Sequence, residues 1–354
     1  SLGLIFLLGC QSSSDSGFSA TSNKEKIRPL YITEKTAYDT DDPAIWIHPT
    51  HPEKSLILGT DKDEKGGLYV FDLKGRIIEE KVVRNIRRPN NVDVEYGLAW
   101  GDTSIDIAVL TERLDQKLRV FRLPDMKPMD GGGLEVFEGE QEGEYRAPMG
   151  IALYKTPGSG DIYAFVSRKN GPQEDYIWQY RLSKGKEGSI EMAHVRSLGK
   201  FSGQKEIEAL AVDDALGYLY YSDESRGVRQ YFASPDSGKD EIALFAREGF
   251  ADDREGISIF PTGEKSGYLL VSDQEANEFH VYDREHASRA LLAVLTLSTQ
   301  ASDGSESCAR ALSPDFPQGL FVAMSDDRTF QLYSWEVLEK EIKKQQNLAL
   351  RKEE

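Results

Sequence analysis

Carboxylates recur along this chain where one short apolar run begins and where the next one ends, and basic residues join them there. The first runs open with Asp41, Asp42, Asp93, Glu208, Asp253, Glu255 and Asp303. The second runs close on Asp61, Lys62, Glu112, Arg113, Arg168, Lys169, Asp223, Glu224, Asp273, Asp326 and Asp327. Carboxylates crowded together repel one another unless cations neutralise them, and oxygen-only ligand sets suit hard cations such as Ca²⁺. Lys62, Arg113, Arg168 and Lys169 suit a phosphate, arginine as a bidentate donor and lysine as a point charge. Brought to one place, these residue types offer a calcium-bridged site for a phosphorylated anion.

The elements that must position them form a sixfold repeat. Each copy has an inner apolar strand, a second strand ending in polar or charged residues, and a third strand rich in aromatics. The copies read DDPAIWIHP, SLILGTDK, GLYVFDL (Asp41 to Leu73); NVDVEYGL, SIDIAVLTER, KLRVFRL (Asn91 to Leu123); and PMGIALY, DIYAFVSRK, YIWQYRL (Pro148 to Leu182). They continue with EALAVDD, GYLYYSDE, GVRQYFA (Glu208 to Ala233); EGISIF, GYLLVSDQ, EFHVYDR (Glu255 to Arg284); and SCARALS, GLFVAMSDD, TFQLYSW (Ser307 to Trp335). Alternation of apolar and polar residues marks half-buried strands, and this spacing is that of propeller blades. The fold class is therefore all-β, a six-bladed β-propeller. Fourth, outer strands are expected between copies, for example at Arg76 to Val83 and Leu291 to Leu297. The sixth copy lacks one, and Leu30-Tyr31-Ile32-Thr33 is expected to complete it and close the ring, because an open blade leaves an unpaired edge. In an antiparallel blade, the start of the first strand and the end of the second share a face. All the charged positions above are thus expected to ring one mouth of the central channel.

Of 354 residues, 60 are acidic and 43 basic, a formal charge of −17. That balance argues against nucleic acid, whose phosphates require a basic surface. An anionic substrate stays open if cations mediate the contact. The two cysteines, Cys10 and Cys308, exclude a disulfide framework. Leu2 to Gly9 is too short to span a membrane and reads as the apolar part of a signal peptide. It ends Leu7-Leu8-Gly9-Cys10, which resembles a bacterial lipobox with Cys10 as the acylated residue, and the basic segment that normally precedes such a run is missing. The expected organisation is a signal-peptide remnant (1–9), a polar lipoprotein tether (10–28), the propeller (29–336) and a charged C-terminal helix or tail (337–354). The chain is expected to be exported, anchored to the cell envelope through lipid alone, and monomeric.

DDPAIWIHP (Asp41 to Pro49), the Thr-Asp-Lys loop ending at Lys62, NNVDV (Asn90 to Val94) and DFPQGLFVA (Asp315 to Ala323) resemble the β-propeller phytases, the bacterial calcium-dependent 3-phytases. The similarity runs from about residue 38 to residue 336. It implies hydrolysis of inositol phosphates, with phytate or calcium-phytate as substrate, through a metal-activated water. It implies phosphate contacts from Lys62, Arg113 and Lys169, and calcium ligation by Asp41, Glu208, Glu224, Asp253, Glu255 and Asp303. Lys62, Arg113, Lys169, Glu208 and Glu224 are then the catalytic set. Asp42, with the backbone near Val92 and the Asp93 region, is implied as a more structural calcium site. Met149 stands where the family commonly has a tyrosine in contact with substrate.

Other phosphatase chemistries fit poorly. His48, His51, His194, His280 and His286 lie in no RHGxRxP pattern, and Cys308 lacks the arginine spacing of a cysteine phosphatase loop. His48 and His51 flank a turn at the end of a strand and are read as surface residues. Two rival readings remain: a non-catalytic binding platform, since fold does not fix function, and a calcium-dependent hydrolase of lactones or other esters. Neither needs the basic set of Lys62, Arg113 and Lys169.

Overall fold

The computed structural model describes residues 25–285 and 289–353. Its strands form six antiparallel sheets arranged as the blades of a propeller. The inner strands are Thr40–Trp46, Pro89–Trp100, Pro148–Lys155, Leu210–Asp213, Arg254–Pro261 and Ser305–Cys308. The second strands are Leu56–Asp61, Thr103–Glu112, Ile162–Arg168, Tyr218–Asp223, Gly267–Asp273 and Leu320–Ser325. Apolar side chains from facing blades interlock into contiguous clusters, so the core runs around the ring instead of filling its centre. Leu58, Val70, Val92, Ala108 and Leu110 join blade one to blade two in this way.

The ring closes as expected. Tyr31–Ile32 pairs antiparallel with Thr329–Ser334, the third strand of blade six. Around this short strand Leu30, Thr33 and Thr36 donate backbone N–H groups to the carbonyls of Leu332, Phe330 and Arg328 at 2.8, 2.9 and 3.0 Å. Ile27 extends the seam by exchanging backbone bonds with Thr296 and Ser298. The outer strand of blade five, Leu291–Thr296, lies where expected, whereas that of blade one is only Val83–Arg84. Between Arg76 and Val83 the chain instead bridges back from Ile77 to Phe71 and forms a 3₁₀ turn at Glu79–Lys81.

A helix over Trp335–Glu353 follows blade six directly. Trp335 stacks on Phe260 with ring planes 8° apart, and Leu338 and Ile342 are fully buried. Gln345 accepts from Val294 N–H and donates to Val294 C=O, at 3.0 and 2.9 Å. Its amide thus supplies a bonding partner at the edge of the outer strand of blade five, an edge that would otherwise invite pairing with another chain. No helix among the described residues is long and apolar enough to cross a membrane.

Candidate active site

One backbone hydrogen bond recurs in all six blades and sets the mouth. The residue just after each second strand donates its N–H to a carbonyl ahead of the inner strand. The bonds are Lys62 to Asp39, Arg113 to Arg88, Lys169 to Ala147, Glu224 to Glu206, Gln274 to Asp253 and Asp326 to Gln300, at 2.6–3.3 Å. Four inner strands also carry a bulge of one extra residue near their start, spanning Asp41 and Asp42, Asn90 and Asn91, Met149 and Gly150, and Glu255 and Gly256. A bulge re-aims side chains. Here Asn90, Met149 and Glu255 line the mouth, and Asp41 meets Lys62 there, while Asp42 and Asn91 line the channel beneath.

The resulting mouth is a cavity of about 390 Å³. The structure brings together Lys62, Arg113, Lys169, Glu208, Glu224, Asp253, Glu255 and Asp303 around it. Arg88, Asn90, Lys205, Glu206 and Gln274 line it as well. Lys62 Nζ lies 2.5 Å from Asp41 and 3.5 Å from Asp303. Lys169 pairs with Glu206, and Lys205 with Asp252 and Asp253. Asn90 donates to Glu208 at 2.7 Å. Across the opening, carboxylate oxygens of Glu208, Glu224 and Glu255 lie within 4.8 Å of one another.

Glu224 and Glu255 on one side, and Arg113 and Lys169 on the other, are shifted in opposite senses. Burial, then the neighbouring Glu208 and Asp253, pushes Glu224 up to about 8. Burial, then Glu224 and Glu208, pushes Glu255 well above the usual carboxylate range. On the basic side, burial and the adjacent Arg88 lower Arg113, and burial and Arg113 lower Lys169. Like charges held this close favour counter-ions from outside the chain: cations on one side, anions on the other.

Several residues expected at the mouth lie elsewhere. Arg168 is 1% exposed and turned into blade three, so it is not a substrate contact. Its guanidinium donates to Glu140 and to the carbonyls of Tyr145, Asp175 and Tyr176, among the rings of Phe137, Tyr145, Tyr176 and Trp178. The reason is the twofold alternation of a strand: Lys169 faces the mouth, so its neighbour cannot. The same alternation removes Asp61, Glu112, Asp223 and Asp273 from the mouth. Asp61 accepts from the backbone N–H groups of Tyr38 and Asp39, Glu112 from Arg87, Asp223 from Ser202 and Asp273 from Ala251. Each clamps the segment leading into its own inner strand. Asp326 and Asp327 do not line the cavity either.

Asp42 and Asp93 sit below the mouth, against a channel cavity of about 120 Å³ that they share with Asn91 and Glu306. Asp42 accepts from Val92 N–H at 3.0 Å and Asp93 from Leu153 N–H at 2.7 Å, so each stitches its inner strand to that of the next blade. Burial raises Asp93 to about 7, and raises Asp42 and Glu306 well above their usual range. Met149 is 1% exposed where its side chain meets the mouth. Cys10 and the leader lie outside the described residues.

Sequence reasoning passed over Arg88, Lys205, Glu206 and Gln274. Aligning the six copies would have found three of them. Arg88, Glu206 and Asp253 all stand two residues ahead of the inner-strand mouth residue of their blade, and Gln274 occupies the position of Lys62, Arg113, Lys169 and Glu224.

Fold and mouth together define a six-bladed propeller whose channel opens into a polar site, half acidic and half basic. The chain belongs to the phytase family, whose model matches residues 8–347. It is 28% identical over 326 residues to the 3-phytase of Bacillus subtilis (strain 168), covering 84% of this chain and 79% of that one. The binding-platform reading therefore gives way to that of an enzyme. Among solved structures, a chain of a mitotic checkpoint complex covers 94% of this chain and 98% of its own length, with a TM-score of 0.49 and 10% identity. The Dos1 propeller covers 84% and 68%, with a TM-score of 0.44 and 12% identity.

Proposed function

We propose that this enzyme releases phosphate from myo-inositol hexakisphosphate (phytate) and lower inositol phosphates, as a 3-phytase, with calcium held at the acidic side of the mouth. One observation carries the reading. The same cavity holds three basic side chains, Lys62, Arg113 and Lys169, and three carboxylates whose oxygens converge within 4.8 Å, Glu208, Glu224 and Glu255.

The residues present fit calcium. The donor set is oxygen-only, the chemistry of a hard cation. Asp41 Oδ2 and Asn90 Oδ1 are buried acceptors with no donor among the described residues. Bound calcium would give such acceptors a partner, and would offset the burial and the mutual repulsion that raise Glu224 and Glu255. Asp41, Glu208, Glu224, Asp253, Glu255 and Asp303 are the residues that would hold it. Calcium, when bound, shields phosphate charge and makes a coordinated water more acidic. The chain's own part is positioning. Lys62, braced by Asp41 and Asp303, and Arg113, free of any carboxylate within salt-bridge distance among the described residues, orient a phosphate ester against the acidic side. Glu206 steadies Lys169 between the two halves.

Asp42, with the Asp93 region beside it, is proposed as a second, structural calcium position within the channel. Export and anchoring through acylated Cys10, and action as a monomer, complete the proposal.

The test is phosphate release from calcium-phytate by a protein lacking the leader, with and without chelator. Release should stop in chelator, and Glu208→Gln should cut turnover about 100-fold while keeping the fold. An inactive wild type in calcium, or full activity in Glu208→Gln, would overturn the proposal.

A further inference from the structure

The acidic side of the mouth already holds a cation supplied by the chain. Lys205 lines the cavity. Its Nζ pairs with Asp253, one of the residues proposed to hold calcium, and lies 2.8 Å from Asp252. Carboxylate oxygens of Asp252, Asp253 and Glu275 lie within 4.8 Å of one another, so the ammonium stands against two members of a second converging set. Its charge also reaches Glu224, whose carboxyl burial, Glu208 and Asp253 push up and Lys205 pulls down.

This pairing differs from that of Lys62. The side chains of Lys62, Asp41 and Asp303 are 15, 2 and 19% exposed, a closed arrangement. Those of Lys205 and Asp252 are 36 and 60% exposed, and only Asp253, at 19%, is covered. An ion pair open to water on one flank contributes little net stability, so its ammonium can give way. A divalent cation that takes several oxygens at once has the advantage over it. The backbone, by contrast, is pinned. Glu206, the next residue, donates its N–H to the Glu224 carboxylate at 3.2 Å, and Glu224 returns its N–H to Glu206 C=O at 3.3 Å. Lys205 itself has a φ of +54°, in the left-handed region. The segment is thus fastened to one proposed calcium ligand while its lysine reaches across to another.

We infer that Lys205 is a built-in competitor for calcium. Its ammonium neutralises Asp253 while the mouth is empty and leaves Asp253 when calcium binds there, so this one side chain sets the calcium concentration at which the mouth fills. It also keeps the empty mouth from opening under its own charge, because Asp253 adds to the repulsion on Glu224 and Glu255. The inference rests on the calcium reading above.

Lys205→Met and Lys205→Arg test it, with Lys343→Met as a control that removes the same charge from an exposed pair on the C-terminal helix. Calorimetric titration of the calcium-free protein with calcium alone measures binding without substrate. In Lys205→Met one calcium-binding step should tighten about fivefold, the scale of a partly exposed ion pair. Lys205→Arg keeps the cation and should not tighten it, and Lys343→Met should match wild type. Melting curves supply the second readout. In chelator Lys205→Met should melt below wild type, because Asp253 is then unpaired, and saturating calcium should close the gap, since an ion that binds the native state stabilises it. Equal calcium affinity in wild type and Lys205→Met would overturn the inference, as would the same tightening in Lys205→Arg or Lys343→Met. A wild type that takes up no calcium would overturn the calcium reading, and this inference with it.

Discussion

Gly150 tests whether the mouth depends on how closely the inner strands approach. It follows Met149 in the bulge of blade three and faces the inner strand of blade four. A Cβ built there falls 2.9 Å from the carbonyl carbon of Glu208 and 2.6 Å from Leu210 Cδ1, with the Glu208 carbonyl oxygen closer still. Leu210 could rotate, but the main chain of Glu208 cannot retreat without moving its carboxylate. Ordinary van der Waals separation requires a shift of about 1 Å, and overpacking on that scale costs about 1–3 kcal/mol. In a chain this long that corresponds to a fall of roughly 1–4 °C in Tm. The catalytic effect should be larger, because a displacement of about 1 Å in a positioning group can cost on the order of 100-fold in rate. Gly150→Ala should therefore lose most of its phytate turnover while remaining folded at 25 °C. Melting curves and phosphate release at saturating calcium measure both effects. Gly143→Ala is the control: no atom lies within 4 Å of its added Cβ, so it should stay within about 0.5 kcal/mol of wild type. Wild-type activity in Gly150→Ala would refute the idea that close strand approach sets the position of Glu208.

Lys62→Met removes the cation between Asp41 and Asp303, both largely buried; breaking such a pair costs about 3–5 kcal/mol, so Tm should fall sharply in chelator and recover substantially on adding calcium. An equal fall in both conditions would contradict the proposed metal position. His194, stacked on Trp178, has a depressed pKa because burial disfavours its charged form. Between that lowered value and the ordinary 6.5 the unfolded chain binds the extra proton, so this residue's contribution to stability falls as pH drops through that window. His194→Phe keeps the stacking and should flatten the acid side of the Tm–pH profile relative to wild type; an unchanged profile would refute this. Cys10→Ser should move the protein from the membrane fraction to the soluble one, and persistence in the membrane pellet would dispose of the anchor.

The fold was largely legible because each blade repeats its strand pattern, and closure was legible because one blade lacked a strand while an orphan strand preceded the first. The site was legible only to the resolution of a strand end. Topology correctly brought Lys62, Arg113, Lys169, Glu208 and Glu224 to one face. It could not separate Arg168 from Lys169, or Asp61 from Lys62, because that depends on which member of each pair the terminal alternation turns inward. Bulges caused the second kind of error. The extra residue in the first inner strand gives Asp41 to the mouth and Asp42 to the channel, and nothing in the pair Asp41-Asp42 marks that divergence. Arg88 and Glu206 were hidden for a third reason: they stand in irregular segments whose positions are set by hydrogen bonds from a different strand.

The seam that closes the ring also has a mechanical meaning. The N-terminal segment runs along blade six, and its backbone bonds to Leu332, Phe330 and Arg328 lie side by side across the direction of the chain. A pull directed along this strand would load those bonds in shear, all at once, instead of opening them in succession like a zipper. If the chain is tethered through Cys10, the attachment point draws on the one strand whose loss would open the ring.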